Sequence, residues 1–205
     1  MKVLLINGSP HKDGNTHLAL EEVSRTLAAD GIDSEIFWIG NKAVQGCIGC
    51  YTCVKTGICV FKDELYLILR RKLEEADGII IGSPVYYAGP AGSLCAILDR
   101  LFYSSSKFAI YKPAAAVCVC RRGGAAAAFD RLNKYFTILR MPVVSSQYWN
   151  MVFGRNPGEA AKDREGLQTM RTLGHNMAWM LKSLQGQQHP EPEPFDPMNF
   201  IREDC

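Results

Sequence analysis

Residues 3–16, V-L-L-I-N-G-S-P-H-K-D-G-N-T, pass from an unbroken apolar run through a loop of small, hydrogen-bonding residues into helical spacing that continues to Ala29. A strand with one wet face alternates apolar and polar residues, so an unbroken run reads as a strand covered on both faces. The same transition recurs. Residues 34–38, 78–82, 114–120 and 143–148 are the further strand candidates, and 15–29, 63–75, 91–104, 126–140 and 165–184 carry helical spacing.

Strand and helix in strict alternation predict an α/β fold: a flavodoxin-like doubly wound sheet of five parallel strands, order 2-1-3-4-5, with helices on both faces. Residues 1–185 are expected to form this one domain, with a cysteine-rich loop at 47–59. Residues 186–205, rich in Pro and polar residues, are expected to be an extended tail that packs against a neighbouring subunit. A chain of 205 residues, 47% hydrophobic, has enough apolar surface for one core. Its 23 basic and 21 acidic residues leave a net charge of +2, which gives no pull toward nucleic acid or an anionic membrane. The apolar run at the start breaks at Gly8 and is too short for a signal peptide or a membrane span, so a soluble cytoplasmic protein with reduced thiols is expected.

In such a sheet, ligands sit at the carboxyl ends of the strands. After the first strand, Ser9, Asn15, Thr16 and the loop's backbone amides converge on the start of a helix, where the dipole favours an anion. The loop lacks both the Gly-Lys-Ser/Thr ending of a triphosphate loop and the G-x-G-x-x-G of a dinucleotide fold, which leaves a phosphate monoester such as that of FMN. An ordinary turn capped by Asn15 or Thr16 is the competing reading. After the third strand comes G-S-P-V-Y-Y-A-G-P (82–90), and after the fourth R-R-G-G-A (121–125). Tyr86 and Tyr87 offer flat faces for an isoalloxazine ring. Gly89, Gly123 and Gly124 let backbone approach its polar edge.

Four of the eight cysteines lie in C-I-G-C-Y-T-C-V-K-T-G-I-C (47–59). The spacing C-x2-C-x2-C-x5-C lets one short loop, turned by Gly49 and Gly57, wrap a 4Fe-4S cluster with Cys47, Cys50, Cys53 and Cys59 as ligands. Zinc and a metal-free redox or apolar loop are the other two readings. Cys95, Cys118 and Cys120 read as small buried hydrophobes, Cys205 as a terminus, and His17 and His175 as surface or packing residues. Asp99 and Arg100 read as an ion pair at a helix end. Tyr148 and Trp149 read as an interface or as a cover for a neighbouring subunit's flavin.

The segments G-S-P-H-K-D-G-N-T (8–16), S-P-V-Y-Y (83–87), L-D-R (98–100), R-R-G-G (121–124) and S-S-Q-Y-W-N (145–150) together resemble the NADPH-dependent FMN reductase family over about residues 1–185. With the cysteine string included, the closest branch resembled is the iron-sulfur flavoproteins. The resemblance implies FMN at the carboxyl edge, its phosphate held by Ser9, His11, Asn15 and Thr16. It sets the ring beside Pro84, Val85, Tyr86, Tyr87 and Gly89 and its polar edge at Arg121, Gly123 and Gly124. NAD(P)H or ferredoxin is the implied donor, with hydride transfer from NAD(P)H to the flavin N5. The implied acceptor is a quinone, nitro or azo compound, flavin or oxygen species, and the assembly a homodimer or homotetramer. Three positions depart from the family's pattern: His11 stands for a usual Arg, Cys95 for a common Lys, and Ala125-Ala126 for polar residues. A non-enzymatic flavin and thiol redox sensor is the alternative function.

Overall fold

The computed structural model describes residues 1–194 and 196. Parallel strands β1 (Lys2–Asn7), β2 (Asp33–Trp38), β3 (Gly78–Tyr86), β5 (Ala114–Cys120) and β6 (Met151–Phe153) lie in the order β2-β1-β3-β5-β6, and the two-residue β4 (Gly89–Pro90) pairs antiparallel with the end of β3. The five parallel strands follow the expected winding. β4 is the additional strand, and it turns the end of β3 back on itself.

The last strand is displaced from its expected place at 143–148. Within that span the pairing is one isolated bridge, Val143 with Ala114, where the Val144 amide donates to the Ala114 carbonyl at 2.8 Å, and the ladder forms at 151–153, where Met151, Val152 and Phe153 pair with Cys118, Val119 and Cys120. Between them Ser146 donates to the carbonyl of Thr169 at 2.7 Å, which takes the chain off the sheet and onto the last helix. A serine pair in the middle of an apolar run marks that departure.

Side chains alternate across each strand, which sorts the core into two layers. Val3 and Leu5 join Ile80, Val117 and Val119 beneath α1 (Asn15–Ala29) and α6 (Arg164–Leu184). Leu4 and Ile6 join Ile79, Ile81 and Cys118 beneath α3 (Glu64–Glu75), α4 (Gly92–Ser105) and α5 (Ala125–Ile138). The helices on each face explain why the strands are apolar without interruption. One short helix, α2 (Thr52–Thr56), lies inside the cysteine string. Among the described residues no helix is long and apolar enough to cross a membrane. Residues 186–194 carry no helix or strand; residues 195 and 197–205, including Cys205, lie outside the described residues, and with them half of the expected tail.

Candidate functional site

Buried Asn7, the last residue of β1, shapes the first loop from inside. Its Oδ1 accepts from the Ser9 amide at 3.0 Å, and its Nδ2 donates to the Lys12 carbonyl at 3.0 Å. Ser9 Oγ accepts from the His11 amide at 3.1 Å, and Trp38 Nε1, from the end of β2, donates to the Ser9 carbonyl at 2.7 Å. Gly8 donates to the Gly82 carbonyl at 2.9 Å, fixing the loop to β3. α1 begins at Gly14 without a side-chain cap, so its first amides face the loop with the positive end of the dipole behind them.

Of the phosphate candidates, Ser9 is buried within the loop and His11 is exposed beside it. Thr16 is buried, which leaves its backbone amide as the group to offer. Both ends of the Asn15 side chain are engaged: Nδ2 donates to the Asn156 carbonyl at 2.9 Å, and Oδ1 accepts from the Ala160 amide at 3.2 Å. Asn15 therefore ties the start of α1 to the segment after β6.

At the end of β3 the chain turns through Tyr87 and Ala88, with φ of 49° and 58°, while Val85 pairs with Pro90 and Tyr86 with Gly89. Two consecutive left-handed residues make the type I′ hairpin turn that suits the strand twist. Each non-glycine residue there carries strain of about 1–3 kcal/mol. The turn leaves Tyr86 half-exposed and Tyr87 fully in solvent. The hairpin tip rests on the loop after β5: Gly124 has a φ of +89°, and a Cβ there would lie 2.7 Å from Ala88 Cα. Pro84, Val85, Tyr86, Tyr87 and Gly89 thus form one wall with Gly124, next to exposed Arg121, Arg122 and Gly123.

The segment F-G-R-N-P-G-E (153–159) also reaches this edge, and sequence reasoning missed it. Its Gly, Asn and Pro mark a turn, but a last strand expected at 143–148 put the loop too early. With Arg121 and Lys162 it lines a cavity of about 550 Å3. Glu159 accepts from the Arg155 and Asn156 amides at 2.8 and 2.9 Å and from Asn156 Nδ2 at 2.6 Å. Those bonds hold its carboxyl down to about 2. A depressed carboxylate contributes order above its unfolded value of 4.5 and loses it as pH falls through about 2. The protection of the Arg155 and Asn156 amides, taken relative to the free-peptide exchange rate at each pH, is expected to fall across that interval, and Glu159→Gln to remove the transition.

In the cysteine string, Gly49, Tyr51 and Gly57 adopt φ of 64°, 54° and 69°, bending the chain on either side of α2. Cys47 and Cys50 are exposed, Cys53 is half-buried and Cys59 is buried, and all four border one small apolar pocket with Arg100, Tyr103 and Ser104. Bonds from Thr52 hold the Cys50 thiol below its usual value; burial, with the other three thiols adding to it, pushes Cys53 up. Among the described residues no three His, Cys, Asp or Glu side chains gather closely enough to hold a single metal ion. The four cysteines instead share the lining of one pocket. A cubane binds each thiolate through a different iron, so a ring of soft donors around a buried cation suits its chemistry.

A buried chain of hydrogen bonds supports this loop. The Cys59 amide donates to Tyr66 Oη at 3.0 Å, Tyr66 Oη bonds Ser104 Oγ at 2.7 Å, and Ser104 donates to the Arg100 carbonyl at 2.6 Å. Tyr66→Phe leaves the Cys59 amide without its acceptor and is expected to cost about 1–3 kcal/mol, seen as a lower denaturant midpoint. Asp99 and Arg100 do not pair with each other. Asp99 accepts from Tyr135 and faces Arg131, while Arg100 pairs with Asp63, because consecutive helix positions point in different directions. Cys118 and Cys120 are buried in the core, the Cys118 thiol pushed up to about 12; burial also raises half-buried Cys95. His17 and His175 face Glu21 and Asp30 on the surface. Tyr148 and Trp149 pack together, centroids 5.0 Å apart, and border a cavity of about 390 Å3 beyond Gly124.

Residues 1–156 match the model of the NADPH-dependent FMN reductase family. An iron-sulfur flavoprotein of Methanocaldococcus jannaschii is 36% identical over 190 residues, covering 89% of this chain and 98% of the relative. Among solved structures, RosB with bound 8-demethyl-8-formylriboflavin-5'-phosphate superposes with a TM-score of 0.74 at 16% identity, covering 100% of this chain and 93% of that one. A flavodoxin from the domain Archaea gives 0.61 at 16% identity, covering 89% and 99%. At those identities the two structures show the shared flavodoxin-like fold.

Proposed function

This chain belongs to the NADPH-dependent FMN reductase family, and on that premise we propose that it is an FMN-dependent oxidoreductase fed by NAD(P)H or ferredoxin. The observation that carries the reading is the convergence of three loops at one sheet edge. The uncapped start of α1, the strained 84–89 hairpin and the 121–124 loop lie side by side there. FMN, when bound, supplies hydride acceptance from a nicotinamide and onward release of electrons singly or in pairs.

The chain's own part is binding and orientation. The amides of Asn15 and Thr16, with Ser9 and His11, hold the phosphate. The Tyr86–Tyr87 turn flanks the ring, and the backbone of Arg121, Gly123 and Gly124 meets its polar edge. No side-chain acid or base is required. Cys47, Cys50, Cys53 and Cys59 would hold a 4Fe-4S cluster, which would supply one-electron transfer. The acceptor is a small molecule such as a quinone, a nitro or azo compound, flavin or an oxygen species, and the working form is a homodimer or homotetramer.

Anaerobic protein loaded with FMN and mixed with NADPH or NADH tests the donor. Bleaching of the flavin band, reversed by added quinone, is expected. No bleaching with either nucleotide would remove the nicotinamide from the reaction.

A further inference from the structure

Arg100 heads the largest fully buried side chains, and nothing at the flavin edge uses it. Its Nη1 donates to the Gln45 carbonyl at 3.1 Å and its Nη2 to the Phe61 carbonyl at 2.6 Å, and it pairs with Asp63. Gln45 precedes Cys47 and Phe61 follows Cys59, so one guanidinium fastens the cysteine loop by both of its ends. The rings of Phe61 and Tyr66, 5.7 and 5.1 Å from the guanidinium carbon, hold it in place. It lies against Cys59 and borders the same pocket as all four cysteines. Its buried Nε has no hydrogen-bond partner among the described residues. An unmet donor on a buried cation is costly, and a sulfur acceptor arriving in that pocket would meet it.

We propose that Arg100 is a positioning residue for the cysteine loop. It clasps the loop shut and sets its charge against the thiolate ring, raising the reduction potential of the cluster held there. The proposal rests on the cluster reading above. Each electron passed from reduced FMN to the cluster adds one negative charge to a site already carrying four thiolates. A fixed cation therefore stabilises the reduced form more than the oxidised one. Hydrogen bonds to the sulfurs act in the same direction.

The test uses the full chain purified without oxygen as wild type, Arg100→Gln, Arg100→Lys and Asp63→Asn. Iron, sulfide and FMN per chain are measured first, followed by a redox titration of the cluster monitored by electron paramagnetic resonance. Arg100→Gln is expected to lower the cluster potential and leave the flavin potential in place. Arg100→Lys, which keeps the charge and loses the fork, is expected to fall between it and wild type. Asp63→Asn keeps an acceptor for the Tyr66 amide at the start of α3 but removes the counter-charge, so it is expected to raise the potential. If Arg100→Gln does not fold, Asp63→Asn carries the test alone. Iron-replete variants with an unmoved potential overturn the role of Arg100 and leave the cluster standing. A wild-type protein without iron overturns the cluster reading and this proposal with it.

Discussion

Gly124→Val is expected to abolish tight FMN binding and to lower the melting temperature by several degrees. Gly124 has a φ of +89°, where a β-branched residue is strained by about 1–3 kcal/mol. The new side chain also meets Ala88 Cα at 2.7 Å and Val85 Cγ1 at 3.1 Å. One of those contacts is backbone, in a turn already strained at two positions, so the hairpin has to lift off the loop. Overpacking of this kind adds about 1–3 kcal/mol. Because the hairpin and the 121–124 loop form one wall, the displacement opens the space assigned to the flavin ring. Titration with FMN, followed by loss of its fluorescence, is expected to show an affinity at least tenfold weaker, equivalent to about 1.4 kcal/mol. Gly123→Ala, at a position with no protein atom within 4 Å of the added Cβ, is expected to keep the wild-type melting temperature, which separates the stability effect at Gly124 from its neighbour.

Asn15→Asp is expected to weaken FMN by an order of magnitude or more while affecting riboflavin much less. The substitution removes the donor to the Asn156 carbonyl and sets a carboxylate at the start of α1, where a bound phosphate would carry like charge. Repulsion between partly buried charges at such range amounts to several kcal/mol before screening. Riboflavin lacks the phosphate, so it reports only damage to the bridge between α1 and residues 156–160. An equal loss for both flavins would confine Asn15 to that bridge and move the phosphate elsewhere.

The fold was legible where the signal was local. The helix at 15–29 and the strand at 114–120 occupy those same residues in the structure, because apolar runs and helical spacing are properties of consecutive residues. The last strand was misplaced because residues 143–148 have strand-like composition but lose their place in the ladder to a tertiary contact, the Ser146 bond to α6. The short antiparallel β4 was hidden in Y-Y-A-G, whose left-handed turn uses Tyr and Ala where glycine or asparagine would have announced it.

The loops of the candidate site were legible as loops, but the partners of their side chains were not. Asn15 looked free to hold a phosphate, and only the folded chain brings Asn156 and Ala160 to its two ends. Arg100 looked like half of an ion pair with its neighbour Asp99. Its burial beneath the cysteine loop depends on Gln45, Phe61 and Asp63, all distant in sequence.

The measurement that tests the central claim most directly is the flavin bound per chain in protein purified without oxygen and then exposed to added FMN, with iron and sulfide determined on the same sample. The account predicts one FMN per chain, together with about four irons if the thiol ring holds its cluster. Protein that takes up no flavin from added FMN would contradict it.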